Sequence, residues 1–247
     1  MIEVKKLAKK YGDYTAVYDV SFSAAKGEIV GFLGPNGAGK TTTIRMLSTY
    51  LPPTSGSASI AGFDIAKQAD QVRRNIGYLP ENPPLYGEMT IREYLTFVAR
   101  IKGVPKSAIQ SRVAESIEKC SLGDVRNKLC QHLSRGFRQR AGIAQAIIHN
   151  PQVIILDEPT SGLDPRQIID IRKMISSLAE QHTVILSTHI LPEVQSICTK
   201  VVIVNQGRVV LESALADLTK GKTLEQVFLD CVSSEQLRPD EQASGAA

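Results

Sequence analysis

Gly34-Pro35-Asn36-Gly37-Ala38-Gly39-Lys40-Thr41 has the spacing G-x-x-x-x-G-K-[ST] of a loop that cradles phosphates. Before it, Glu28-Ile29-Val30-Gly31-Phe32-Leu33 reads as a buried strand. After it, Thr42-Thr43-Ile44-Arg45-Met46-Leu47 reads as the opening of a helix. That strand–loop–helix setting separates the motif from an ordinary glycine-rich turn. Gly34, Gly37 and Gly39 let the backbone curl so that its N–H groups face inward, and the helix start behind them adds partial positive charge. A polyphosphate is the ligand such a nest takes, bound along Gly34 to Thr42. Lys40 is then expected on the β- and γ-phosphates, with the Thr41 hydroxyl holding Mg²⁺.

The rest of the composition narrows the class without naming a partner. A length of 247 residues suits one large α/β domain, or a core with one sizeable insertion. Net charge +4 is the difference between 29 basic and 25 acidic residues. No Lys/Arg run suggests nucleic acid, and with aromatics at 5% and no Trp, stacking platforms for bases along a strand are not expected. Cys120, Cys130, Cys198 and Cys231 are scattered, as free thiols in a reducing compartment would be. Met1-Ile2-Glu3-Val4-Lys5-Lys6 does not read as a signal peptide, and no apolar run approaches the roughly 18 residues that cross a bilayer. The expectation is a soluble chain whose membrane role, if any, runs through a partner.

In order along the chain, residues 2–10 and 14–23 read as strands joined at Gly12-Asp13. A strand at 57–60, a helix near 67–74 and a strand at 76–79 follow the phosphate loop and its helix. From about 85 to 150 the pattern is helical, at 90–102, 106–120 and 137–149, which suggests a helical subdomain inserted into the core. In the first of these, Ile91, Leu95, Val98 and Ile101 are expected to face the core. Val153-Ile154-Ile155-Leu156 suits a parallel strand buried on both faces. A helix near 166–180, a strand at 184–187 and a helix at 190–198 come next. A hairpin over Gln206-Gly207 (200–205 and 208–212) and helices at 214–219 and 223–231 close the fold. Residues 233–247 read as a disordered tail.

Asp157-Glu158 ends the 153–156 strand, where open α/β sheets bind their ligands. Asp157 suits the Mg²⁺ sphere, and Glu158 suits polarising a water for attack on a γ-phosphate.

With these residues in place, the chain resembles the nucleotide-binding subunit of an ATP-binding cassette (ABC) transporter over residues 1 to about 230. Leu133-Ser134-Arg135-Gly136-Phe137 stands where that family has L-S-G-G-Q, Ser161-Gly162-Leu163-Asp164 matches its D-loop, and His189 its switch histidine. Tyr11 matches the aromatic that stacks on adenine. The resemblance implies a RecA-like P-loop NTPase core with an N-terminal antiparallel β-subdomain, ATP and Mg²⁺ as ligands, and a γ-phosphate contact from His189. It also implies that Ser134 and Gly136 of one copy close over the nucleotide of a second, with Asp164 ordering the interface between them. His132, His149 and His182 match nothing and are expected to be structural.

Three positions depart from the family pattern. Glu81 stands for the usual Gln, keeping an oxygen for Mg²⁺ or water; Arg135 replaces the first signature glycine, and Phe137 its glutamine. These forms resemble the branch that pairs with separate ABC-2-type permeases, including gliding-motility and sodium or drug export subunits. The implied activity is ATP hydrolysis coupled to transport, in the export direction, by a peripheral subunit on the cytoplasmic face of the membrane. Arg135 and Phe137 keep a second reading open, an ATP-sensing subunit with little turnover. A non-transport ABC ATPase is the third; such proteins usually carry two cassettes or long insertions, and neither is present. A GTPase is disfavoured, because Asn127-Lys128-Leu129-Cys130 ends in cysteine where N-K-x-D needs aspartate.

Overall fold

Continuous apolar runs set the middle layer of the molecule, a computed structural model that describes residues 1–218 and 221–234. Strands β3 (Ile29–Leu33), β7 (Val153–Asp157) and β8 (Thr183–Thr188) are buried at every position, as parallel strands covered on both faces must be. With β6 (Ile76–Leu79), β9 (Lys200–Asn205) and β10 (Arg208–Ala214) they form a sheet of order β10-β9-β3-β8-β7-β6, parallel except for β10. Alternation along the strands divides the apolar runs between two cores. Ile29, Leu33, Ile154, Leu156, Val184 and Leu186 face one, and Val30, Phe32, Val153, Ile155 and Ile185 face the other.

The second core lies under an antiparallel sheet and two helices. Strands β1 (Ile2–Tyr11), β2 (Tyr14–Ala24), β4 (Ser55–Ile60) and β5 (Phe63–Asp64) pair in the order β2-β1-β4-β5. Helices α1 (Lys40–Leu47) and α2 (Ala69–Asn75) fill the same side. Phe22 of β2 meets Phe32 of β3 with ring centroids 5.3 Å apart, fastening one sheet to the other.

The first core is covered by helices α3 (Ile91–Ile101), α4 (Ile109–Lys119), α5 (Arg135–Ile147), α6 (Pro165–Ala179) and α7 (Leu191–Ile197). The inserted helical region therefore shares its apolar interior with the parallel sheet. Helix α3 starts on a capping box, in which Thr90 and Glu93 each bond the other's backbone N–H. Its core face differs from expectation at one end. Ile91, Leu95 and Val98 are buried, but Ile101 is 66% exposed, and Tyr94 takes the remaining core position. Ile101 is the last residue of the helix and borders an open cavity with Arg73 and Arg74 of α2 and Arg112 of α4. Expected helix 106–120 resolves into a 3-10 turn at Lys106–Ala108 followed by α4. Helix α5 starts earlier than 137, because Ser134 caps it by accepting from the Phe137 N–H. The chain closes with α8 (Leu215–Leu218) and α9 (Leu224–Ser234). The helix thus includes 233 and 234, and the rest of the expected tail lies outside the described residues. No described helix is long and apolar enough to cross a membrane.

His149 is structural, as expected, and makes stability depend on pH. Its Nε2 lies 3.0 Å from the Ile76 carbonyl oxygen, and its buried Nδ1 has no partner. Burial, helped by the charge of Lys102, pushes its pKa down from 6.5 to about 4. The unfolded chain therefore binds a proton below pH 6.5 that the native chain refuses until about pH 4. Stability is full above pH 6.5 and falls between those values. Chemical denaturation at pH 7.5 and 5 should show this loss, and His149→Gln should reduce it, with His182, also pushed down by burial, keeping a remainder.

Candidate functional site

In a parallel sheet the loops after each strand emerge on one edge, so those after β3, β6, β7 and β8 converge. The loop after β3 is the phosphate motif. Gly37 and Gly39 hold φ of +80° and +93°, which side-chain-bearing residues adopt only with strain. Gly34 is required for a different reason. A Cβ there would lie 2.3 Å from the Val204 carbonyl oxygen, so the loop could not seat against β9. No side chain caps α1 at Gly39, which leaves the first-turn N–H groups directed to a ligand.

Lys40 opens α1 and is 6% exposed. Its Nζ donates to the carbonyls of Gly34 at 2.8 Å and Pro35 at 3.2 Å, and lies 3.5 Å from Glu158 Oε1. The ammonium thus closes the loop and faces the acid across it. Asp157 ends β7 and accepts from the Thr41 hydroxyl at 3.4 Å. Burial pushes its carboxyl above the usual carboxylate range, an effect that an opposite charge beside it would counter.

Glu158 has φ of +48°, a left-handed backbone uncommon for such a residue and costly without surrounding support. That support comes from its N–H, which donates to the Ser187 carbonyl at 3.0 Å, and from its own carbonyl, which accepts from Ser161 N–H at 3.1 Å. The turn aims the carboxylate between two cations or potential cations: Lys40 on one oxygen, and His189 Nδ1 at 2.9 Å on the other.

These groups border a cleft of about 400 Å³ lined by Tyr11, Tyr14, Ala16, Asn36, Gly37, Gly39, Lys40, Thr41, Thr42, Glu81, Glu158, Ser161 and His189. Gly34, Pro35 and Ala38 form the turn beneath it. Ser134, Gly136 and Asp164 do not line it. Ser134 caps α5, Gly136 packs on the Gln167 side chain, and Asp164 caps α6 by accepting from Gln167 N–H at 2.9 Å. The Arg135 guanidinium lies over Gly162, where a Cβ would meet its Cζ at 2.4 Å. Ser134, Arg135, Gly162 and Asp164 are exposed there, with Gly136 buried beneath Gln167. Tyr14, Ala16 and Ser161 are cleft residues that sequence reasoning missed. Tyr14 had a signal, since it is the cross-strand partner of Tyr11 over the Gly12-Asp13 turn and therefore shares its face.

Thr41, Asp157 and Glu81 offer oxygen atoms only, the donor set of a hard divalent cation. Among the described residues no group of three acidic, histidine or cysteine side chains could hold a metal ion alone. Phosphate oxygens and water would have to complete the shell, which is how Mg²⁺ commonly binds.

Tyr11 is 45% exposed on the cleft rim, and Lys9 Nζ lies 5.3 Å from its ring centroid. If its ring stacks on a base, Tyr11→Ala should weaken nucleoside triphosphate binding about tenfold. Inorganic triphosphate, which has no base, should bind as before in the same calorimetric titration.

Comparison with known proteins shows the family and the fold. Residues 17–161 match the family model described as ABC transporter. The chain is 37% identical over 233 residues to the ABC transporter ATP-binding protein NatA of Bacillus subtilis (strain 168), covering 92% of this chain and 95% of that one. It is 40% identical over 222 residues to the bacitracin transport ATP-binding protein BcrA of Bacillus licheniformis, covering 89% and 72%. A solved ATP-binding subunit of an ABC transporter superposes with a TM-score of 0.84 at 31% identity, covering 94% of this chain and 99% of that one. The cassette MJ0796, solved as a dimer in a post-hydrolysis state bound to ADP and Pi, gives a TM-score of 0.78 at 26% identity, covering 87% and 99%.

Proposed function

The chain belongs to the ABC transporter family, and from that premise we propose that two copies close on ATP and drive a separate membrane permease. It is an ATP-binding subunit of an ABC transporter and an ATPase. The observation that carries the proposal is the convergence of Lys40, Glu158, His189, Thr41 and Tyr11 on one cleft. Backbone N–H groups and Lys40 take up the polyphosphate. Glu158 orients and deprotonates the attacking water, His189 donates to the γ-phosphate, and Tyr11 stacks on the adenine. Mg²⁺, held by Thr41 and Asp157 with Glu81 near, would neutralise charge on the phosphates.

Ser134 and Gly136 do not line the cleft; Ser134 is exposed at the start of α5, and Gly136 is buried beside it under Gln167. A second copy, related by a two-fold axis, would bring its Ser134 and Gly136 to the γ-phosphate of the first. Closure then depends on a phosphate touched by both copies, and hydrolysis removes that contact. The dimeric state of MJ0796 supports this reading.

The partner we propose is an ABC-2-type permease, with the subunit held on the cytoplasmic face of the membrane through it. Export is the proposed direction. The stretch from Glu81 to Tyr94 is the proposed transmission surface. It leaves the cleft at Glu81 and exposes Tyr86, whose ring packs on Phe97 at 5.4 Å. Glu88→Lys should reduce permease co-purification and transport while leaving ATP affinity intact; unchanged transport would reject this surface. Steady-state hydrolysis with and without the permease tests the function itself. Stimulation by the permease is expected, and a rate no higher than that of Glu158→Gln in both conditions would favour an ATP sensor.

A further inference from the structure

Glu193 sits in the first turn of α7, where an acid ordinarily faces solvent and the helix dipole. Here it is 1% exposed. One carboxylate oxygen accepts from the Thr188 hydroxyl at 2.7 Å, and the other accepts from the Thr160 hydroxyl. Arg172 of α6 lies 3.8 Å from the latter oxygen and supplies the opposite charge that a buried carboxylate needs. The two hydroxyls come from different segments of the site, the end of β8 and the turn after β7. Thr188 immediately precedes His189, and its oxygen also accepts from Ile190 N–H at 3.0 Å, which fixes the turn that His189 occupies. Thr160 follows Glu158 and Pro159 in the turn after β7.

We propose that Glu193 is a positioning residue for hydrolysis. Without lining the cleft, it clamps the Glu158 and His189 segments together, so that those side chains keep their 2.9 Å contact. The inference rests on the reading of Glu158 and His189 as the hydrolytic pair. An acid serving only to hold α6 and α7 on the core would affect how much protein folds, and not the rate of each folded molecule. A clamp on two reacting segments affects turnover with little change in binding, because displacements of about 1 Å cost about 100-fold in rate.

Glu193→Gln leaves the volume unchanged, but its NH₂ end cannot accept from a threonine. Thr188→Val removes a single hydroxyl at nearly constant shape, and Thr188→Ser keeps it; these two also serve if Glu193→Gln folds poorly. Each is compared with wild type, His189→Ala and the double variant Glu193→Gln/His189→Ala, measuring ATP Kd by titration and kcat per folded molecule. We expect kcat to fall about 10- to 100-fold in Glu193→Gln and Thr188→Val, with Kd within about twofold and Thr188→Ser near wild type. In the His189→Ala background, Glu193→Gln should add little, since the two act through one contact. A wild-type kcat in Glu193→Gln or Thr188→Val, or a fully additive loss in the double variant, overturns the inference. If His189→Ala and Glu158→Gln themselves hydrolyse normally, the pair was misassigned, and the inference falls with that assignment.

Discussion

Lys40→Ala should weaken ATP binding about 100-fold or more and so remove hydrolysis at ordinary nucleotide concentrations. The size follows from what the ammonium does. It is nearly buried, donates to two carbonyls of its own loop, and faces Glu158 at 3.5 Å. In the proposed complex this ammonium pairs with the phosphates, and removing one partner of such a buried charged contact costs about 2–5 kcal/mol, where each 1.4 kcal/mol is about tenfold in affinity. The alanine variant also takes the Lys40 donor from the Gly34 carbonyl, while Pro35 keeps the Ala38 N–H at 3.2 Å, and it leaves the phosphates without their nearest cation. Glu158 keeps His189 as a partner, so the fold should survive, with a modest drop in melting temperature. Titration calorimetry with ATP and Mg²⁺ checks the affinity. Lys40→Arg should not restore it, because the fork is larger and branched where the pocket fits a single nitrogen.

Glu158→Gln should have the opposite signature, losing turnover while binding is retained. General-base catalysis contributes about 100- to 10,000-fold, and an amide cannot take the proton from water. Binding should be equal to or tighter than that of the native chain. In the native chain Glu158 faces both Lys40 and His189, and these are the groups proposed to serve the phosphates. A neutral amide no longer competes for them. Single-turnover hydrolysis and ATP titration on the same preparation separate the two effects.

Much of this arrangement was legible in the sequence, for physical reasons that can be named. Apolar runs at 29–33, 153–156 and 184–187 are too continuous for anything but strands covered on both faces, and they became β3, β7 and β8. The phosphate loop is fixed by spacing, since only glycine fits at Gly34 against Val204. The cleft was then legible as the place where those strands end. Local signals failed where tertiary contacts decide. Strand β5 has two residues, too few for a period. Ile101 had core spacing but sits at the helix end on an open cavity, where it stays exposed. Glu193 looked like an ordinary acid at a helix start, and only the packing of α6 and α7 against the β7 and β8 turns makes it a buried acceptor. The left-handed backbone of Glu158 has no sequence signature, because nothing about an Asp-Glu-Pro run requires it.

The arrangement also explains why Ser134, Gly136 and Asp164 contribute nothing to the cleft of their own chain. Ser134 and Asp164 cap α5 and α6, and Gly136 packs on Gln167 of α6. The caps hold the two helix starts, and Arg135 lies over Gly162 between them. In the proposed assembly that rigid surface is presented to another molecule.

The most direct test of that assembly is the mass of the hydrolysis-blocked chain by light scattering, with and without ATP and Mg²⁺, in the presence of its permease. Glu158→Gln is expected to pair when ATP is added and to return to single subunits when the nucleotide is removed, and Lys40→Ala should not pair at all. If Glu158→Gln loaded with ATP stays monomeric beside its permease, closure by a shared γ-phosphate is wrong.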